Sequence, residues 1–335
     1  MSYFCIEADF ATGIGKDIPV MPKYNITRLN FHEVELPDSN RGMAADVSLV
    51  LHNDYPVTFT VPQLGFDILV PNCVPEQPFI LLANATTNEV AVSPKEEVHV
   101  NVTGIIRELP DVFTAVCPDS NTSPLDTLLG QYISGRETTI FVRGADAPSS
   151  DKYRWISDLI KNVVVPLPFP GHSFDNLIKD FSLNQVHLGL PDPFADPNIP
   201  EGQPTISAIV EAQVNLPNEM NFPIDISRVR ANATVFYHGK ELGLLDLRKW
   251  QRANSTRIEA HGDEKAGLII KSIVKDAPLE VTDDDVFRKV VQALIFGGRS
   301  IILDVKTKVD VETVTALGKF IIRDIPAEGK VPIKR

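Results

Sequence analysis

The stretch AIVEAQVNLPNEMNFPIDISRVRANATVFYHGKELGLLDL, Ala208 to Leu247, decides how the chain is read. In AIVEAQVNL apolar residues recur at alternate positions, the period of a strand with one buried face. The run then breaks at Asn221-Phe222-Pro223. Asn bonds its own backbone in turns, and Pro cannot donate to a sheet ladder. The alternation resumes in RANATVFY and, past a turn at His238-Gly239, in KELGLLDL. This pattern predicts strands of a β-sandwich, with the aromatic-Pro break acting as an ordinary edge-strand kink rather than a binding element.

A diverged copy lies upstream. AADVSLVLHNDYPVTFTV, Ala44 to Val61, aligns with the stretch without a gap. Ala45 falls on Ala212, Val47 on Val214, Leu49 on Leu216, Tyr55 on Phe222, Pro56 on Pro223 and Val57 on Ile224. The two prolines are 167 residues apart. Later in each half a short helical pattern ends in Gly-Arg and leads to a strand-like run. These runs are GRETTIFVRG from Gly135 and GRSIILDVKTKV from Gly298, 163 residues apart. Landmarks in one order at nearly one spacing predict a tandem repeat. The expected fold class is mostly β: two tandem β-sandwiches of about seven strands, each with a short helix. The expected organisation is a partial lead-in over 1–23, a first sandwich over 24–146, a helix and Pro-rich linker over 147–173 and a second sandwich over 174–335.

Within this frame, RLNFHEVEL and LGFDILVP read as strands. NEVAVSPKEEVHVNVTGII, Asn88 to Ile106, reads as a hairpin around SPKEE. TSPLDTLLGQYISG reads as a helix capped by Ser123, with Pro124 in its first turn and Gly135 just past its end. ANSTRIEAHGDEKAGLIIKSIV reads as a second hairpin, and TDDDVFRKVVQALIFGG as a helix capped by Thr282 or Asp283. PDPFADPNIPEGQP is a long loop whose likeness the first half lacks.

The chain has 335 residues, enough for two domains that each bury a core. Hydrophobic content of 43% and charged content of 23% are those of a globular protein. A net charge of −12 without Lys/Arg clusters argues against nucleic acid as a partner. No apolar run is long enough to span a bilayer, and the first residues lack the basic and apolar regions of a signal peptide. Read alone, that predicts a cytosolic protein. The repeat points elsewhere. IPVMPKYNITRLNFHEVEL (Ile18 to Leu36) resembles VPLPFPGHSFDNLIKDFSLNQVHLGL (Val165 to Leu190), the lead-in to the second half. The first lead-in therefore begins almost at Met1, and the helical DKYRWISDLIKNV that precedes the second has no counterpart before it. The expectation is a C-terminal portion of a longer protein, from a truncated gene model or a fragment, with any span or signal upstream.

Candidate sites are few. Cys73 and Cys117 lie in one half, where they pair in an oxidising lumen or stand as separate thiols; Cys5 leaves the count odd. Asn-x-Ser/Thr sequons occur at Asn25, Asn84, Asn101, Asn121, Asn232 and Asn254, a mild excess that fits a lumenal or secreted chain. Asn84 and Asn254 read as lying in loop-like polar stretches. In DLRKWQRANS, Trp250 stands among Arg248, Lys249 and Arg252, either as a partner or glycan contact or as a Trp anchoring the domain edge. The nucleophile-elbow, zincin, P-loop and dinucleotide motifs are missing, and the seven His are scattered singly. The expectation is no enzyme, no cofactor and no metal site.

The strand, aromatic-Pro and strand unit, with YHGKELGLLDL, the hairpin and the late helix, is similar to the late-embryogenesis-abundant group 2 sandwich, an immunoglobulin-like/LEA-14-like fold. VNLPNEMNFPIDISRVRANATVFYHGKELGLLDLRKWQRANSTRI together with LPDPFADP resembles the fungal vacuolar membrane protein family known for termination of autophagy, sometimes labelled pre-rRNA processing. The resemblance covers Phe181–Arg335 and, more weakly, Tyr24–Gly144. It implies a short cytosolic tail, one membrane span and tandem lumenal sandwiches; this chain departs by lacking the tail and the span. The implied role is a non-enzymatic lumenal interaction region at the vacuole membrane that helps end autophagy in prolonged starvation. The alternative is a stress-protective or lipid-binding module whose sandwich opens an apolar groove.

Overall fold

A computed structural model describes residues 24–146, 154–171, 178–189, 203–261, 265–296 and 301–333. The molecule is mostly β, with sheets packed in sandwich-like arrangements and a few short helices. The first half runs β1 (Tyr24–Glu35), β2 (Arg41–His52), β3 (Phe59–Val61), β4 (Gly65–Pro71), β5 (Phe79–Thr87), β6 (Val90–Val92), β7 (Glu97–Ile106), α1 (Asp111–Thr114), α2 (Pro124–Ile133) and β8 (Thr138–Ala145). A connector follows with α3 (Arg154–Ile160), and the Pro-rich stretch expected to be a linker instead supplies β9 (Val164–Phe169), which pairs with β8 and completes the first half's sheet. The second half runs β10 (Ile178–Gly189), β11 (Thr205–Asn215), β12 (Met220–Asn221), β13 (Asp225–Tyr237), β14 (Lys240–Ile258), β15 (Gly267–Val281), α4 (Asp284–Phe296), β16 (Ile301–Thr315) and β17 (Gly318–Ile333).

The same strand order occurs twice. The first half is ordered β1-β2-β7-β5-β4-β8-β9, and the second β10-β11-β15-β14-β13-β16-β17. Each order places a helix, α2 or α4, just before its sixth strand. Phe31 pairs with Ala45 as Phe181 pairs with Ala212, so the aligned alanines occupy matching positions. Pro56 and Pro223 both fall in the connection that leaves the second strand of each order.

Local chemistry explains the elements. Ser123 Oγ accepts from the Asp126 backbone N–H (3.1 Å), and the Asp126 carboxylate accepts from the Ser123 N–H (2.7 Å), closing a capping box at α2. Asp283 Oδ1 accepts from the Asp285 and Val286 N–H groups at α4. Between β13 and β14, His238 (φ 50°) and Gly239 (φ 74°) form a two-residue turn whose twist suits the hairpin.

One expected hairpin is not there. β6 pairs with β3, whereas β7 pairs with β2 and β5. Val90, Val92 and Val98 pack face to face with Val61 and Val100, so the chain turns a corner between two sheets instead of folding back edge to edge. The large core of the second half unites Val235, Leu242, Leu279, Leu303 and Val331, with Val286 and Val290 of α4 closing one end. Its outer edges meet: a Cβ added at Gly329 of β17 would lie 2.6 Å from Phe181 of β10. The first half builds its interior from Met43, Val70, Ile80, Ala83, Ile106, Phe113 and Leu125. That interior also takes in Phe222, Leu317 and Phe320 of the second half. Apolar surface removed from water in this shared interior contributes about 25 cal/mol per Å².

Candidate interaction surfaces

The aromatic-Pro break of the second half is not an edge kink. After Asn215, β11 leaves its sheet and the segment up to Phe222 crosses to the first half. There β12 pairs in parallel with β1, Met220 opposite Phe31 and Asn221 opposite His32. The Phe31 N–H donates to the Glu219 carbonyl at 2.7 Å, and Asn221 Nδ2 donates to Asn30 Oδ1 at 2.8 Å. Phe222 packs beside Met43 and Ile106. From β14, the Arg257 guanidinium donates to the carbonyls of Phe222 (2.8 Å) and Met220 (3.0 Å), which fixes the shape of the crossing segment. Pro223 stops the pairing after two residues because it offers no donor.

Two polar contacts reinforce this junction. Asp126 of α2 is buried, and its carboxylate accepts from the Arg323 N–H (2.9 Å) and guanidinium (2.8 Å) in addition to Ser123. The pair has ample hydrogen bonds to offset its desolvation. Tyr132 of α2 donates to the Glu219 carboxylate. Burial first, and the neighbouring carboxylate second, raise the Tyr132 hydroxyl above its ordinary range.

The corresponding segment of the first half has no cover among the described residues. Tyr55 is 71% exposed, Val57 43% and Phe59 50%. Here β2 stays paired with β7 to His52, and the Asn53 N–H donates to the Glu96 carbonyl. The tip is nevertheless ordered: Asn53 Nδ2 donates to the Ser93 carbonyl (2.7 Å), and the Tyr55 N–H donates to Asn53 Oδ1 (3.1 Å).

DLRKWQRANS forms a second surface. Opposite Arg230, β14 bulges out over Arg248-Lys249-Trp250, because Val229 pairs with Gln251 but Ala231 with Leu247. The bulge lays the half-buried Trp250 ring under Arg230 (4.7 Å) and Arg228 (5.4 Å). Arg228 and Lys319 both bind Glu312, and Arg230 binds Asp310 (2.8 Å). Hydrogen bonding from Arg228, foremost, holds the Glu312 carboxyl down at about 2. Its cover is one layer of partly exposed Arg and Lys side chains. Arg248 turns back to Asp246 (2.7 Å), whose carboxyl it holds at about 2. Lys249 and Arg252 are exposed. The sequence singled out Trp250 and its basic neighbours, but not Arg228, Arg230, Asp310 or Glu312. Their signal is the register of three strands, which alternation alone does not reveal.

All six sequon asparagines, Asn25, Asn84, Asn101, Asn121, Asn232 and Asn254, are exposed. Asn84 and Asn254 stand on β5 and β14 rather than in loops, as outward-facing members of alternating strands. Asn84 Nδ2 donates to Asp67 (3.0 Å), which also binds Arg143 (2.6 Å). Cys73 and Cys117 form a disulfide with Cα atoms 5.7 Å apart, tying the connection between β4 and β5 to that between α1 and α2. Cys5 and most of PDPFADPNIPEGQP lie outside the described residues. No helix among the described residues is long and apolar enough to cross a membrane.

A protein-family model described as the Tag1 C-terminal domain matches residues 220–334. No curated protein matches the chain. Among solved structures, the BSP domain of a biofilm-associated protein aligns over 97% of this chain at 7% identity, with a TM-score of 0.18. The chain spans 62% of that structure's length.

Proposed function

We propose that this chain is a non-enzymatic interaction region of a fungal vacuolar membrane protein, facing the vacuole lumen and acting to end autophagy during prolonged starvation. The observation that carries the reading is the Tag1 C-terminal domain match over residues 220–334. It falls within Phe181–Arg335, the part whose own residues resemble the termination-of-autophagy family. The division into modules at 24–146 and 174–335, joined by 147–173, belongs to the same reading.

Physical features support it. The shared interior gives the two halves one relative orientation, which suits a scaffold that presents surfaces to partners. The Cys73–Cys117 bridge suits an oxidising compartment, and the exposed sequons suit a glycosylated chain. In the source organism, deleting residues 24–335 from the complete gene tests the proposal. The expected result is autophagic flux that fails to fall in prolonged starvation, while the rest of the protein still reaches the vacuole membrane. Flux that falls on schedule, or a tagged protein found away from the vacuole, contradicts it.

A further inference from the structure

We infer that the Tyr55-Pro56-Val57 tip, with Phe59, is the docking face for another module of this same fold, received at the edge of that module's first strand. The template is inside the molecule. Phe222-Pro223-Ile224 is the aligned segment: it follows directly on Met220-Asn221, which pair with the edge of β1, and Phe222 enters the neighbouring interior while Ile224 packs on Leu216 and Leu268 of its own half. The first tip carries the same chemistry, an aromatic ring, a proline that locks the bend and a β-branched residue, but leaves it in solvent. Three large apolar side chains within five residues, on backbone already ordered by Asn53, form a preorganised patch with little entropy left to lose on docking.

The receptor must come from outside the described residues. The edge of β1 is occupied by β12. The matching edge, β10 at Phe181, lies against Gly329 of β17. The second half thus closes its own receptor edge, whereas the first half has its edge closed by the module that follows. A third module preceding β1 would present an open first-strand edge to the Tyr55 tip, as β1 does to Phe222. Because β2 stays paired to His52, side-chain insertion rather than a new strand bridge would carry this contact.

The test extends the whole chain. A copy of residues 24–171, carrying Tyr55→Phe so that the two tips differ in mass, is joined ahead of residue 22. Nitration of the original Tyr55 by tetranitromethane is then mapped by mass spectrometry. The expected result is about a tenfold slowing relative to the unextended chain, reversed by Phe31→Asp in the added copy. Equal nitration with and without the added copy overturns the inference. A second variant keeps the inference open to refutation should the added copy fold poorly: Phe222→Tyr in the unextended chain puts the first tip's ring in the known seat. Melting within a few degrees of the parent is expected. Melting as low as that of Phe222→Asp shows that a Tyr ring cannot fill such a seat and overturns the inference. Sedimentation of the unextended chain as a dimer that Tyr55→Ala dissociates makes a second copy the occupant, and also overturns it.

Discussion

The two aromatic-Pro segments are alike in sequence and differ in what covers them. Around Phe222 the strand lets go of its own sheet after Asn215 and seals the interior of the other half. Around Tyr55 the strand holds its own sheet to His52, and the aromatic ring points into solvent. Local sequence encodes the bend in both cases, through Asn or Asp before an aromatic residue and Pro. What covers the bend is decided by tertiary context. An element that reads as punctuation within one module becomes adhesive when a neighbour offers an open strand edge.

The contrast can be broken most strongly at the buried pair beneath the junction. Asp126→Ala leaves the mostly buried Arg323 guanidinium without its carboxylate and also removes the carboxylate half of the α2 capping box. The expected loss is about 3–5 kcal/mol in urea unfolding. A loss under about 1 kcal/mol would mean that the junction contributes little. Next comes the covalent tie of the first half. Cys73→Ser with Cys117→Ser opens a loop of 44 residues' separation, with an expected loss of about 2–4 kcal/mol. A protein equally stable with and without reductant would contradict it.

The comparison is sharpened by treating the two tips alike. Phe222→Ala should cost about 2 kcal/mol, because it empties a seat in the shared interior. Tyr55→Ala should stay within about 0.5 kcal/mol in the isolated chain, because its ring contacts mostly water. Equal costs would erase the distinction. The smallest effect is one of pH. Glu312 is held at about 2 against an ordinary 4.5, chiefly by Arg228. A depressed carboxyl contributes stability that is fully present above about pH 4.5 and lost as pH falls toward 2. With discount for the solvent around Arg228 and Lys319, the expected loss is about 1–2 kcal/mol. Glu312→Gln should flatten that part of the acid-unfolding curve; an unchanged curve would contradict the assignment.

Much of the fold was legible in the sequence because its signals are local. Alternation placed the strands of both repeats, Ser123-Pro124 marked the start of α2, and His238-Gly239 marked the tight turn. The order of landmarks revealed a doubling that the strand order repeats. Less local features stayed hidden. β12 is a two-residue parallel bridge with no pattern of its own, and it looked like a kink. β6 and β7 looked like a hairpin because valines alternate on both, yet those valines meet across a corner. Trp250 stood out, but the arginines stacked on it are 20 and 22 residues away in sequence and come near only through strand register. Asp126 and Arg323 are 197 residues apart, so only the assembled junction brings them together.

The claim that the Phe222 segment clasps the two halves is tested most directly by amide hydrogen exchange at Phe31, whose N–H donates to the Glu219 carbonyl. In the parent chain Phe31 should exchange as slowly as Val102, which lies between β2 and β5. Phe222→Ala should speed exchange at Phe31 by about tenfold, about 1.4 kcal/mol of local opening, and leave Val102 unchanged. Exchange at Phe31 that is fast in the parent, or indifferent to the loss of the Phe222 ring, would show that the halves are not held together this way.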